Sequence, residues 1–198
     1  MKQLLVLVWL GLAPVSLTDN NNLLQNGDFS SGIAHWEGDY KTIKAVSSSG
    51  PFSSTAPMTG ALVKLGSAWS KVTQNFSAKV GDYVLTVKYA LLPNLKFSTN
   101  PEDYGRVSTL LALPNVGGFG ARTGQWCIIV FDASTGHSTF WKITPSHGSS
   151  GQIFTCHIHL DSDNDQEDRT LVLAFPPGNG SINLQNVSLT AATSGTSH

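Results

Sequence analysis

Residues 81–89 read GDYVLTVKY, and this stretch decides the fold class. After the turn pair Gly81-Asp82, the apolar residues Leu85, Val87 and Tyr89 recur at every second position. Side chains at every second position of a strand point to the same face. The pattern therefore predicts a β-strand with one buried face, and it does not fit the 3.6-residue period of a helix.

Similar short runs follow on both sides of this stretch, and helical periodicity is nearly absent after residue 18. Apolar or alternating runs bounded by Gly, Pro, Asn or Asp occur at residues 72–76, 126–131, 140–143, 154–160, 171–175 and 182–189. Short strands separated by turn residues are typical of antiparallel sandwiches. We therefore expect an all-β antiparallel β-sandwich over residues 19–190, followed by a disordered tail at residues 191–198.

Composition limits the class of partner. The chain has 198 residues, of which 40% are hydrophobic and 13% charged, and its formal net charge is −1. This length fits one domain. No basic patch is visible in the sequence, which argues against nucleic acid as the partner.

The N-terminus has the pattern of a secretory signal peptide. Lys2 precedes an apolar run at residues 4–12, and small residues lead to a polar stretch from Thr18. We assign residues 1–18 to a signal peptide helix, which implies a secreted or extracytoplasmic protein. A bilayer span needs about 20 apolar residues, so no membrane span is expected. The alternative is a core strand or helix of the mature fold.

Three motifs, taken together, resemble a known family. They are NLLQNGDF at residues 22–29 with Trp36 shortly after, VTQNF at 72–76 leading into the Gly turn at 81, and GSINLQNVSL at 180–189. The chain resembles carbohydrate-binding modules of the galactose-binding-domain-like group. The resemblance implies a jelly-roll sandwich whose first and last segments lie side by side, and a glycan as the partner. Independently of the family, Phe29 and Trp36 are large apolar residues on either side of Gly32, so we expect them to plug one end of the sandwich, with Trp36 structural.

The resemblance also raises the question of a calcium ion. Many family members hold a structural calcium between a Glu after the Phe and an Asp of the closing strand. Here those positions are Ser30 and Gln185, and only Asp28 lies nearby. Calcium prefers several oxygen ligands that include carboxylates, so we expect no ion at this position and no cofactor.

Glycan binding needs flat aromatic faces and a few polar groups. The ligand-binding candidates are Trp69, Tyr104, Arg106, Trp126, Trp141 and Arg122, with Tyr40 and Phe119 as further aromatic candidates. The alternative is that most of these aromatics belong to the core. The long segment at residues 92–125 either shapes the site or is a surface insertion, and residues 106–113 within it are expected to form an extra strand.

An acidic run, DSDNDQED at residues 161–168, gives weak calcium candidates. Asp161, Asp163 and Asp165 alternate oxygen ligands as calcium loops do. The run lacks the Gly and the distal Glu of a complete loop, so a solvated hairpin loop is the favoured interpretation.

Two further pairs have alternative interpretations. His157 and His159 share one face of a strand in line with Asp161, which suggests zinc, but exposed surface histidines are the favoured interpretation. Cys127 and Cys156 are the only two cysteines. In an exported protein they are predicted to form a disulfide; the alternative is two unpaired thiols.

No catalytic motif stands out: the sequence has no nucleophile elbow, zinc-protease motif or phosphate loop. We therefore expect a non-catalytic protein that binds a glycan through surface aromatics. The first alternative is an extracellular structural or adhesive protein that contacts another protein. The second is an unrecognised small secreted hydrolase.

Overall fold

The computed structural model describes residues 22–38, 43–48, 58–105, 107–113, 119–132, 138–145, 151–161 and 167–192. The strands are β1 (Glu37–Gly38), β2 (Ile43–Ser48), β3 (Met58–Lys64), β4 (Ser70–Ala78), β5 (Gly81–Leu91), β6 (Lys96–Phe97), β7 (Trp126–Phe131), β8 (Ser138–Ile143), β9 (Gly151–Leu160), β10 (Glu167–Phe175), β11 (Gly178–Asn179) and β12 (Ser181–Ala191). The expected signal peptide and residues 193–198 of the expected tail lie outside this range.

The strands form two five-stranded sheets that pack face to face. The first sheet has the order β1-β4-β10-β7-β8, and the second has the order β2-β3-β12-β5-β9. Neighbouring strands pair antiparallel in both sheets. A small ribbon of β6 and β11 lies outside them. The predicted two-sheet antiparallel sandwich is therefore confirmed.

The stretch that decided the fold class lies inside the second sheet. Its strand β5 pairs with β12 on one side and with β9 on the other. Leu85 and Val87 are fully buried, as the alternation predicted, while Lys88 on the opposite face is only half-buried. The apolar face of β5 therefore meets the first sheet, and this contact forms the main core.

Residues 22–36 pack beside the closing strand β12. The backbone N–H of Leu23 donates to the carbonyl of Leu189 at 2.8 Å, and Asn22 forms a bridge with Thr190. Gly27 lies so close to β12 that an added Cβ would stand 2.0 Å from a backbone oxygen, so only glycine fits there. The first and last segments therefore lie side by side.

Two aromatic rings close this end of the sandwich, as expected for Trp36. The rings of Phe29 and Trp36 are both buried, with centroids 5.4 Å apart. The indole Nε1 of Trp36 donates to the carbonyl of Asn26 at 3.1 Å. The side-chain amide of Gln74 on β4 bonds both backbone groups of Gln25, which ties this segment to the first sheet.

The long segment at residues 92–125 packs on the outer face of the first sheet through residues 107–113 and 119–121. It contains a 3-10 helix at Pro101–Tyr104 and a short α-helix at Val107–Leu110, so the extra strand predicted for residues 106–113 is wrong. Its apolar side chains join those of β7 and β10 in a second buried cluster. That outer cluster consists of Val107, Leu111, Leu113, Phe119, Cys127, Ile129, Phe131, Val172 and Ala174.

The predicted disulfide between Cys127 and Cys156 is wrong, because both are free thiols in different layers. Cys127 alternates with the inward-facing Trp126 and Ile128, so it points away from the second sheet into the outer cluster. Cys156 lies on β9 and packs against the main core between the sheets. Burial raises the pKa of each thiol to about 12.

None of the helices in the described ranges is long and apolar enough to cross a bilayer.

Candidate functional site

Two of the predicted ligand-binding aromatics belong to the interior. Trp126 is 0% exposed, and its ring packs between those of Tyr89 and Phe175, each with its centroid 5.2 Å away. Tyr104 is 2% exposed, and its hydroxyl donates to the carbonyl of Ser98. A buried ring offers no face to a ligand, so the prediction of ligand contact is wrong for Trp126 and Tyr104.

Trp69 lies beside Tyr104, as a partner in packing. The two rings meet edge to face with centroids 5.9 Å apart, and the indole Nε1 of Trp69 donates to the carbonyl of Asp103. Trp69 is half-buried against the outer cluster. A role in ligand contact stays a prediction for Trp69.

The two predicted arginines have different outcomes. Arg106 lies outside the described residues. Arg122 is exposed, and its backbone N–H donates to Oε1 of Gln125 at 2.8 Å. Nε2 of the same Gln125 donates to the hydroxyl of Thr144 at 2.9 Å, which places the turn with Arg122 beside the end of β8.

Trp141 lies on β8, the last strand of the first sheet. It pairs with Ile128 of β7 and shares the inward direction of that residue, so it faces the second sheet. It is only half-buried, because β8 has no strand beyond it in the sheet order. Trp141 is therefore a core residue with an accessible margin at the side of the sandwich.

The last strand of the second sheet, β9, lies at the same side, and two depressions open between β8 and β9. The upper cleft has a volume of about 380 Å³ and is lined by Tyr89, Lys142, Ile143, Thr144, Gln152, Ile153 and Phe154. The lower cleft has a volume of about 230 Å³ and is lined by Val130, Ser138, Thr139, His159, Leu160, Asp161 and Arg169. Trp141 and Cys156 lie between them along the two strands. We call this side of the sandwich the edge groove.

The upper cleft combines polar groups with apolar surface. At its floor, the hydroxyl of Tyr89 donates to Oε1 of Gln152 at 2.8 Å, and burial raises the pKa of Tyr89. Ile153 is 57% exposed at the rim, and the ring of Phe154 is half-buried below it. The ammonium of Lys142 stands 5.5 Å from the centre of the Phe140 ring. The cleft therefore places polar groups next to apolar side chains.

The lower cleft carries charge of both signs. Nδ1 of His159 lies 2.6 Å from a carboxylate oxygen of Asp82, and Nε2 lies 3.0 Å from one of Asp161. The hydrogen bond to Asp82 is the largest cause that raises the pKa of His159, and Asp161 adds to it. Arg169 donates to the backbone carbonyl of Asp161. The charged side chains of the lower cleft therefore bond one another and the adjacent backbone.

The same geometry shows where the two histidines and the candidate metal ligands lie. His157 and His159 are exposed, as the favoured interpretation predicted. Both ring nitrogens of His159 face carboxylates, so neither has a lone pair directed at a zinc ion. Of the calcium candidates, Asp161 bonds His159, while Asp163 and Asp165 lie outside the described residues. Within the described ranges, no cluster of three or more His, Cys, Asp or Glu side chains is placed to hold a metal ion.

Sequence reasoning missed most of the edge groove. Lys142, Gln152 and Ile153 carry no motif, and they meet only because β8 and β9 end different sheets at the same side. One signal was available: Ile153 stands opposite the buried phase of β9, where an apolar residue would be exposed on a strand face.

Comparisons with known proteins place the fold. No family model matches the sequence, and no curated protein matches it. The solved structure of TmCBM61 in complex with β-1,4-galactotriose aligns with a TM-score of 0.54 and 11% identity, covering 86% of this chain and 99% of that one. A family 16 carbohydrate-binding module aligns with a TM-score of 0.51 and 16% identity, covering 85% and 99%.

A protein of a different kind shares the same architecture. An apo cyclase from Fischerella sp. aligns with a TM-score of 0.55 and 14% identity, covering 87% of this chain and 96% of that one. Identities this low show the fold alone. The chain has the β-sandwich fold found in carbohydrate-binding modules.

Proposed function

We propose that the protein is a secreted, non-catalytic carbohydrate-binding protein that holds a glycan along the edge groove. The observation that carries the proposal is the sandwich fold that the chain shares, over almost their entire length, with carbohydrate-binding modules. The jelly-roll topology of the galactose-binding-like group and the signal peptide at residues 1–18 are part of the same proposal.

The groove supports glycan binding through its mixture of surfaces. Sugar rings present hydroxyl groups at their edges and C–H groups on their faces, so a site needs polar groups next to apolar ones. Thr144 and Gln152 supply hydrogen-bonding groups in the upper cleft, next to the apolar Ile153 and Phe154. Trp141 continues this apolar strip toward the lower cleft.

In the lower cleft, the arrangement of Asp82 and Asp161 does not suit hydrolysis of a glycan. A glycosidase of the usual type places two carboxyl groups on opposite sides of the scissile bond. Asp82 and Asp161 both bond the same imidazole, that of His159, which fills the space between them. These two carboxylates therefore leave no room for a scissile bond between them.

A role in binding protein would call for a contiguous exposed apolar patch of roughly several hundred Å². In the described part of the chain, the exposed large apolar side chains are Val80, Leu92, Phe140 and Ile153. Val80 and Leu92 flank β5, and Phe140 and Ile153 lie on the edge strands β8 and β9.

The binding function is tested with a glycan array and an insoluble-polysaccharide pull-down, run with and without a chelator. We expect retention of at least one glycan class, and we expect Ile153→Ser to weaken its binding about tenfold by removing an apolar contact at the rim. The matched control is Val80→Ser, another exposed apolar residue, which lies in the turn between β4 and β5.

No retention on any glycan would refute the proposal. Equal loss of binding in Ile153→Ser and Val80→Ser would refute the edge groove as the site. Secretion is tested separately by mass spectrometry of the exported protein, whose first residue we expect near Asp19.

A further inference from the structure

The two clefts of the edge groove differ in charge. At neutral pH, Lys142 is the one charged side chain that lines the upper cleft, and no carboxylate lines it. The carboxylates of Asp82 and Asp161 lie at the other end of β9 and are bonded to His159. From Gln152 to His159 the strand advances about 23 Å, which is more than twice the screening length of about 8 Å at physiological salt.

Two more cations stand next to the upper cleft. Lys88 of β5 pairs with Ile153 across the sheet, so its side chain is the immediate neighbour of that rim residue. Arg122 is exposed in a turn, and the side chain of Gln125 links this turn to Thr144 by hydrogen bonds. Lys142, Lys88 and Arg122 therefore each add positive potential near the upper cleft.

The hydrogen bonds inside the cleft leave it rich in donors. The hydroxyl of Thr144 accepts from Gln125, so its own O–H can donate to a ligand. The ammonium of Lys142 brings three N–H donors and has no acceptor. The hydroxyl proton of Tyr89 is already directed to Gln152. Donors without a facing carboxylate suit a ligand group that only accepts, such as a carboxylate or a sulfate.

We propose that the upper cleft takes an acidic sugar, with its anionic group paired to Lys142 and its ring against Ile153 and Phe154. The anionic group is a uronic acid carboxylate or a sulfate ester, which share the same recognition chemistry. The proposal rests on the proposed function and adds the ligand class. Lys142 acts as a specificity-determining residue, held in place over the ring of Phe140, which stacks in turn on Phe119 at 4.6 Å.

The test uses glycan pairs that differ only in the anionic group. One pair is oligogalacturonate and its carboxyl-reduced form; the other is a sulfated galactan oligosaccharide and its desulfated form. Titration calorimetry on the full chain is expected to give binding at least about tenfold tighter for the acidic member of one pair, weakening as salt is raised.

The variant Lys142→Gln is expected to weaken the acidic ligand by about tenfold and leave any neutral ligand unchanged. The matched control is Lys64→Gln, an exposed lysine on β3, three strands from β9 in the same sheet, which is expected to change nothing. Circular dichroism and the melting temperature confirm that both variants fold.

The outcomes separate this inference from the proposed function. Equal affinity for acidic and neutral members, or a Lys142→Gln protein that binds the acidic ligand as the native protein does, overturns the acidic-sugar assignment and leaves carbohydrate binding intact. Failure to bind any glycan overturns both. The pair that shows the preference identifies the carboxylate or the sulfate as the recognised group.

Discussion

Gln74 and Gln185 are both buried glutamines, but their side-chain amides are satisfied differently. The amide of Gln74 accepts from the backbone of Gln25 and donates to the carbonyls of Gln25 and His35. Gln185 is 2% exposed at an irregularity in the pairing of β12, and within the described residues its two amide atoms have no hydrogen-bond partner. A buried polar group without a partner costs about 1–3 kcal/mol.

We therefore predict that Gln185→Met raises the free energy of unfolding by about 1 kcal/mol, because the apolar side chain needs no partner. The control Gln74→Met removes an amide that has hydrogen-bond partners, and it leaves the backbone N–H and carbonyl of Gln25 without theirs. It should lower the free energy of unfolding by about 1–3 kcal/mol. Urea denaturation measures both, and equal losses in the two variants would mean that Gln185 has a partner.

The pKa of His159 is predicted to lie above the ordinary value of about 6.5. The pKa of His159 is higher in the folded than in the unfolded protein. The contacts with Asp82 and Asp161 therefore stabilise the folded state, and this contribution is complete at pH values below the unfolded pKa. This contribution is lost as the pH rises through the folded pKa. NMR titration of the ring protons measures the value, and Asp82→Asn should lower it. A pKa at or below that of a free histidine would contradict the paired geometry.

Among strands and segments, β7 shows how far the sequence predicts the packing. Its run WCIIVF at residues 126–131 is buried at every position. A continuous apolar run indicates a strand covered on both faces, so a covering layer was predictable. That the layer comes from residues 107–113 and 119–121 was not, because alternation assigns residues to opposite faces and leaves the covering segment undetermined.

We predict that this outer layer contributes strongly to stability. Leu111 is buried in the outer cluster, so Leu111→Ala should lower the free energy of unfolding by about 2–5 kcal/mol. The exposed Leu92 of the same segment serves as the control, since Leu92→Ala should change it by at most about 0.5 kcal/mol. Small and equal effects in urea denaturation would show that the segment does not pack on the first sheet in solution.

The site was harder to predict than the strands, because local sequence does not determine which segments meet in the fold. Trp126 and Tyr104 were candidates because flat rings suit sugars, yet the two covered faces of the first sheet bury both. The edge groove arises where the final strands of two different sheets meet, and no local pattern encodes that meeting. Trp141, a sequence candidate on β8, lies at this groove because its strand happens to end the sheet.

At the scale of the whole sandwich, the state of the two thiols tests whether Cys127 and Cys156 lie in different layers. We predict two free thiols per chain when the protein is unfolded without reductant, counted with a thiol reagent. In the folded protein near neutral pH, reaction should be slow, because burial raises the pKa of each thiol to about 12 and the thiolate is scarce. A count of zero after unfolding would mean that Cys127 and Cys156 are bridged after all.

The overall architecture was the most predictable feature. The alternation along β5 predicted a half-buried strand, and the motifs at residues 22–29 and 180–189 implied that the first and last segments lie together. Both hold, because burial of one strand face depends on local sequence and the pairing of Leu23 with Leu189 follows from the closing strand.

The pairing of Asn22 with Thr190 has a consequence for how the protein is attached to anything else. Both ends of the sandwich leave from one pole, where the backbone of Ala192 also bonds Asp82. The upper cleft lies near Tyr89, about 23 Å further along β5, at the opposite pole. A stalk, a tag or a second domain joined at either end would therefore hold that cleft outward, so fusions should be built at the ends without obstructing it.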